Sequence, residues 1–139
     1  MEIDFDDFFG GLCSAMCFTA HVDNEDGDTL FPCHGEFTSC YDGRAECERL
    51  LSADELAELR KDCAGFLSLL KGAAYDEVCK DAEQAGTDFH FTRNGHGAGF
   101  WDGEWENGDE LTKWAESFGS CELTGQRTGD EISACYLMH

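Results

Sequence analysis

Two imidazoles and three carboxylates lie close together in the chain: Asp88, His90, His96, Asp102 and Glu104. Histidine beside a carboxylate is a common general acid–base pair, and two histidines with two or three carboxylates suit hydrolysis assisted by a divalent metal. The intervening chain must fold back for these groups to converge. The stretch TDFHFT at 87–92 alternates, with Phe89 and Phe91 on one side and Asp88, His90 and Thr92 on the other, which predicts a half-buried strand. Asn94-Gly95 is a favoured two-residue hairpin turn, so the return strand is predicted through Ala98–Trp101, opposite Asp88 and His90. No nucleophile elbow, HExxH, phosphate-binding glycine loop or deaminase signature accompanies the cluster. A histidine among acids is more often a satisfied surface group, so catalysis at this hairpin stands as an alternative and no catalytic residue is assigned.

Nine cysteines are the second source of possible chemistry. Cys63, Cys79, Cys121 and Cys135 sit singly in periodic segments and read as small core residues. Cys13, Cys17, Cys33, Cys40 and Cys47 crowd the first third, with His21 and His34 among them. Structural zinc favours two short ligand pairs, whereas here one such pair, Cys13-x3-Cys17, is followed by gaps of six residues between Cys33, Cys40 and Cys47. A zinc-stabilised protein using Cys13, Cys17, Cys33, His34, Cys40 and Cys47 is therefore a second alternative to buried reduced thiols. The acidic run Asp23 to Asp28 is not a calcium loop. With Gly27 at the sixth loop position, Val22 and Cys33 would occupy the first and twelfth, where carboxylates are needed.

Phe5, Phe8, Phe9, Leu12 and Met16 recur at three and four, a helical stripe that Gly10-Gly11 is expected to interrupt, with a strand over 15–22 as the alternative. Asp23 to Asp28 then reads as a turn, followed by short strands at Thr29–Phe31 and Glu36–Cys40. Ser52-x-x-Glu55 is a capping box, and Leu56, Leu59, Cys63, Phe66, Leu67 and Leu70 behind it predict a helix over about 53–71. A shorter helix is expected from Asp76 to Ala85, ended by Gly86. Asn107-x-x-Glu110 is a second capping box, opening a helix whose Leu111, Trp114, Ala115 and Phe118 share a face before Gly119. CEL, GQRTGD and EISACYL read as a closing hairpin. The expected fold is α+β: one domain over 1–139, with two or three helices packed on a small antiparallel sheet.

The chain has 139 residues, 30 acidic and 9 basic, a net charge of −21. With 42% apolar residues it can bury a core and is not a disordered acidic tail. Both ends are strongly negative: residues 1–50 carry −10, residues 51–100 carry −4 and residues 101–139 carry −7. Such a surface disfavours direct binding to DNA, RNA or an anionic membrane, which need clustered Lys and Arg. No apolar run reaches the length of a membrane span, and the acidic MEIDFDDFF differs from a secretory signal. A high acid excess with four lysines can be simply a solvated or salt-adapted surface. It can also imitate a polynucleotide, because duplex DNA carries one charge per ~1.7 Å of axis and 21 charges match about 10 base pairs.

The string AEQAGTDFHFTRNGHGAGFWDGEW, residues 82–105, resembles a family of short proteins encoded by phages and prophages that share a TRNGHGAGFWD core. Including the flanking helices, the resemblance covers about residues 52–132 and leaves the cysteine-rich 1–50 unmatched. The family has no assigned activity. The resemblance implies a phage origin and a compact α+β domain, not a reaction. On a phage origin the cytoplasmic location expected from the lack of a span or signal is the host's, and no cofactor is expected. By analogy with other small acidic phage proteins, the expected function is inhibition of a basic host defence protein or ribonucleoprotein, of CRISPR-effector or restriction type, by DNA mimicry. Asp4, Asp6, Asp7, Asp23, Glu25, Asp26, Asp28, Asp102, Glu104, Glu106, Asp109 and Glu110 would stand in for phosphates. Arg93, Asn94, His96 and Trp101 of the core motif would add a recognition surface, since tryptophan gives much contact area at low entropic cost.

Overall fold

A computed structural model describes residues 2–19, 21–23, 43–128 and 131–138. Among them are six helices and three strands: α1 Phe5–Thr19, β1 His21–Asp23, α2 Gly43–Leu50, α3 Ala53–Leu69, α4 Gly72–Lys80, α5 Ala82–Arg93, α6 Gly108–Glu116, β2 Glu122–Thr128 and β3 Glu131–Met138. The molecule is mainly helical. This corrects the α+β expectation, because the central hairpin on which it rested is absent and its first strand is helix α5. The strands expected at Thr29–Phe31 and Glu36–Cys40, and the turn beyond Asp23, lie outside the described residues.

Local signals set several helix ends. Asp4 starts α1, its side chain accepting from Asp7 N at 3.2 Å and its carbonyl from Phe8 N at 3.1 Å. The helix buries Phe8, Phe9, Leu12, Cys13, Met16 and Cys17 and runs through Gly10-Gly11. The Ser52–Glu55 capping box forms as expected at the head of α3, which buries Leu59, Cys63 and Phe66. Glu55 has a second task, accepting from Leu137 N of β3 at 2.8 Å. The closing hairpin is also present: β2 and β3 pair antiparallel with an irregularity at Gln126/Arg127, and β1 adds a short parallel edge against β2. GQRT, expected in the turn, lies within β2.

Helix α5 explains the main misreading. Its helical stripe consists of Ala82, Ala85, Gly86, Phe89 and Arg93, all buried, and the small residues contribute little to a pattern of large apolar side chains. Small residues let another helix approach closely. A Cβ on Gly86 would strike the Phe8 carbonyl, and one on Gly11 would strike the Glu83 carbonyl, so the α1 and α5 backbones touch where each carries a glycine. Thr87 Oγ1 donates to Gly11 O at 3.1 Å across the same crossing. Phe89 then stacks on Phe66 of α3, with ring centroids 4.5 Å apart, and Phe8 and Phe100 complete the aromatic centre.

Asn94-Gly95 ends this helix instead of turning a hairpin. Gly95 takes φ +72°, its N–H donates to Thr92 O at 3.2 Å, and His96 N donates to Phe91 O at 3.0 Å. These two bonds are the Schellman C-cap. The helix expected over Asp76–Ala85 is likewise two: α4 and α5 break at Asp81, whose side chain accepts from Gln84 N. Residues 98–101 form turns and bends, not a return strand.

Candidate functional site

The five residues of the alternative hydrolytic cluster are not gathered into one centre. His90 lies in the last turn of α5 with His96 just beyond it, whereas Glu104 lines a cleft with Asp81 and Gln84 at the start of that helix. Asp88 and His90, two apart on a helix, do not share a face. Each has its own partners. Asp88 accepts from Trp105 Nε1 at 2.7 Å and from Gln84 Nε2 at 3.2 Å. His90 is 1% exposed and ties α1 to α5. The Thr19 hydroxyl donates to Ala15 O at 3.0 Å, so it accepts from His90 Nε2 at 2.7 Å, and His90 Nδ1 accepts from Asn94 Nδ2 at 3.2 Å. This network assigns the neutral Nε2-protonated tautomer. Burial, with the charges of His96 and Arg93, pushes the His90 pKa down to about 3, so the ring stays neutral near pH 7. The Asn94 amide, which also donates to His90 O at 2.8 Å, covers the Nδ1 side of this buried ring.

The remaining members do not complete a centre with them. His96 lies 5.7 Å from His90, ring to ring, and its Nε2 faces Glu122 Oε1 at 3.0 Å without the alignment of a hydrogen bond. Asp102 accepts from Gly99 N at 3.3 Å and Glu104 N at 3.2 Å, folding its own loop. Among the described residues no three His, Cys, Asp or Glu side chains group as metal ligands. Cys13, Cys17 and Cys47 are buried thiols, as are Cys63 and Cys121, and Cys33, His34 and Cys40 lie outside the described residues.

The core motif divides between buried supports and exposed surface. Arg93 was expected on a recognition surface, but its side chain is 1% exposed. It donates to Gly119 O at 2.7 Å, Phe118 O at 3.3 Å and Asp62 Oδ2 at 2.9 Å, and lies over Phe89, pinning α5 to α3 and the end of α6. Asn94 is equally internal in role. Its amide exchanges hydrogen bonds with the Cys121 backbone, Oδ1 accepting at 2.7 Å and Nδ2 donating at 3.2 Å, as a strand neighbour would. Trp101, in contrast, is 52% exposed.

Trp101 stands in a loop, residues 94–107, fastened at three points. Phe100 N donates to Thr92 Oγ1 at 3.0 Å, Trp105 is held by Asp88, and Glu77 of α4 grips the far end. The Glu77 carboxylate accepts from Glu106 N at 2.8 Å, Asn107 N at 3.0 Å and Asn107 Nδ2 at 2.9 Å. It thereby takes the part expected of the Glu110 side chain, accepting from the N-cap backbone, while Asn107 occupies the N-cap of α6 without capping it by its own side chain. Burial raises the pKa of Glu77, but the hydrogen bonds from Asn107 and Glu106 outweigh it and the net shift is downward. At Asp88 burial prevails over the Trp105 and Gln84 bonds and the net shift is upward. Nothing in the spacing of Glu77 signals its role, because its partners stand about thirty residues away.

The surface so held is acidic. Asp102, Glu104, Glu106, Asp109 and Glu110 are all exposed, and no Lys or Arg occurs from 94 to 112. Beside them an open cleft of about 250 Å³ is lined by Glu77, Lys80, Asp81, Gln84, Glu104 and Trp105. Asp4, Asp6 and Asp7 are exposed at the head of α1; Asp23 lies in β1 and Glu25, Asp26 and Asp28 lie outside the described residues. Exposed carboxylates stand on all six helices, so the charge is not confined to one side. Three arginines are used internally: Arg93 as above, Arg44 with Asp6 and Glu48, and Arg60 near Glu48 and over the Phe9 ring. No helix of the described residues is long and apolar enough to cross a membrane. No protein-family model, curated protein or solved structure matches the chain.

Proposed function

We propose that this chain is an acidic inhibitor that occupies the nucleic-acid groove of a basic protein, with the Trp101 loop and the start of α6 as its main contact. The observation that carries this reading is the exposed indole of Trp101 followed by five exposed carboxylates within residues 102–110. A large aromatic anchor within a charged rim is the usual build of a high-affinity contact. Carboxylates on the other helices add a long-range field that steers a cationic partner inward. On the phage origin that the TRNGHGAGFWD resemblance implies, the partner is a nucleic-acid-guided or nucleic-acid-cutting defence protein of the host. The hydrolase alternative is less favoured, because Asp88, His90 and Asp102 each serve other partners and, among the described residues, no three such side chains group as metal ligands.

Immobilised protein exposed to a lysate of a phage-susceptible bacterium tests the proposal. It should retain a basic nucleic-acid-binding protein that elutes with rising salt and is displaced by duplex DNA, since screening weakens surface ion pairs. Trp101→Ala and the triple change Asp102→Asn, Glu104→Gln, Glu106→Gln should each weaken capture at least roughly tenfold. Capture indifferent to salt, to DNA and to these changes would refute it.

A further inference from the structure

We infer that Cys17 and Cys47 form an oxidisable pair that closes into a disulfide between α1 and α2. Cys17 stands in the last turn of α1 and Cys47 in the middle of α2, and their sulfurs are 3.9 Å apart although thirty residues separate them in sequence. Both are buried, at 2% and 0% exposure. Their neighbourhood keeps the two helices in register: Cys47 Sγ points at Cys13 O at 4.0 Å, and at the other end of the contact Arg44 of α2 reaches Asp6 of α1 at 3.3 Å. Closing the pair to a bonded sulfur distance of about 2.05 Å brings the two sulfurs nearer by about 1.9 Å. Access for the oxidant comes from α2 itself. An eight-residue helix whose outward side is charged opens at lower cost than the α1–α5 centre.

With hydrogen peroxide as the oxidant, the thiolate of one cysteine attacks a peroxide oxygen. An S–O bond forms, the O–O bond breaks and the departing hydroxide takes a proton to become water. The second thiol then attacks the sulfenic sulfur, forming S–S and breaking S–O, and a second water leaves. Two thiols have given up two electrons and two protons, and one peroxide has become two waters. The bond would tie residues 18–46 into a closed loop. Loops of that length are substantially stabilised by closure, so oxidation acts as a clasp on the N-terminal third.

Reduced full-length protein, treated with stoichiometric peroxide and quenched in acid, should lose about 2 Da in intact mass, take up two fewer labels than the untreated protein when alkylated under denaturing conditions, and yield a cross-linked Cys17–Cys47 peptide on digestion. Its thermal midpoint should rise by roughly 5–15 °C. Cys47→Ser should abolish the link and the rise, and Cys13→Ser should keep both. If Cys47→Ser fails to fold, the wild-type peptide map decides. The inference is overturned if either sulfur is found linked to another cysteine, if both are alkylated or oxidised to sulfinic acid with no link, or if the reduced protein carries equimolar zinc held by this pair.

Discussion

Glycine does opposite work in two regions of this molecule. At the α1–α5 crossing Gly11 and Gly86 are helical and their use is space: each lies against a carbonyl of the other helix, and any side chain would force the helices apart. At two positions of the loop after α5 the use of glycine is conformational. Gly95 at φ +72° ends the helix and Gly103 at φ +100° turns the chain, with open space where a Cβ would be. The first region is buried and makes the fold, and the second is exposed and presents the acidic surface. Glycine content alone does not tell Gly11 and Gly86 from Gly95 and Gly103, but burial does.

The crossing breaks most easily. Gly86→Ala should cost at least about 3 kcal/mol in chemical denaturation, because the methyl group meets backbone that cannot yield as a side-chain end can. Gly97→Ala, with open space at its Cβ, serves as the loop control and should change stability by no more than about 0.5 kcal/mol. Equal effects at the two positions would end the distinction.

A pH series sharpens the comparison next. His90 is neutral in the fold with a pKa near 3, against an ordinary value of 6.5. Its stabilising contribution is complete above pH 6.5 and is lost as pH falls from there towards 3, because the unfolded chain takes up a proton that the folded one refuses. The stability gap between the wild type and His90→Gln, from urea titrations, should therefore narrow over that window. Asp88 acts in the opposite sense. With its pKa raised, its burial penalty is relieved by acid, so the loop it fastens should outlast the α1–α5 tie on acidification.

Asp88→Ala leaves Trp105 Nε1 without its partner and should cost about 1–3 kcal/mol, with a shift in tryptophan emission as the indole gains water. Trp101→Ala is the smallest change in stability, within about 0.5 kcal/mol, because the ring is half exposed. Its effect should fall on partner capture alone. A large loss of stability there would make Trp101 a structural residue and take the anchor from the proposed interface.

The two tryptophans show how far the candidate site was legible. Trp101 and Trp105 are four apart and either could be an anchor or a core residue. The fold separates them, because Asp88 draws Trp105 inward against Phe100 while Trp101 keeps its exposed position. The Ser52–Glu55 box and the Leu111, Ala115, Phe118 face were readable, since they depend on residues within a turn or two. TDFHFT misled because α5 is buried on several sides. Asp88, His90, Thr92 and Arg93 are internal by virtue of partners on other elements, and that erases the usual polar side of a helix.

Composition alone set the charge of −21, and four-residue patterns alone set the capped start of α3. Both are properties of the chain wherever it folds. Tertiary structure decided that TDFHFT is helical and that Asn94-Gly95 caps it, that Arg93 is buried while Trp101 is exposed, and that Glu77 caps α6. The reason is distance along the chain. Gly11 with Thr87, Asp62 with Arg93 and Glu77 with Asn107 are 76, 31 and 30 residues apart, and no local window holds both halves of such a contact.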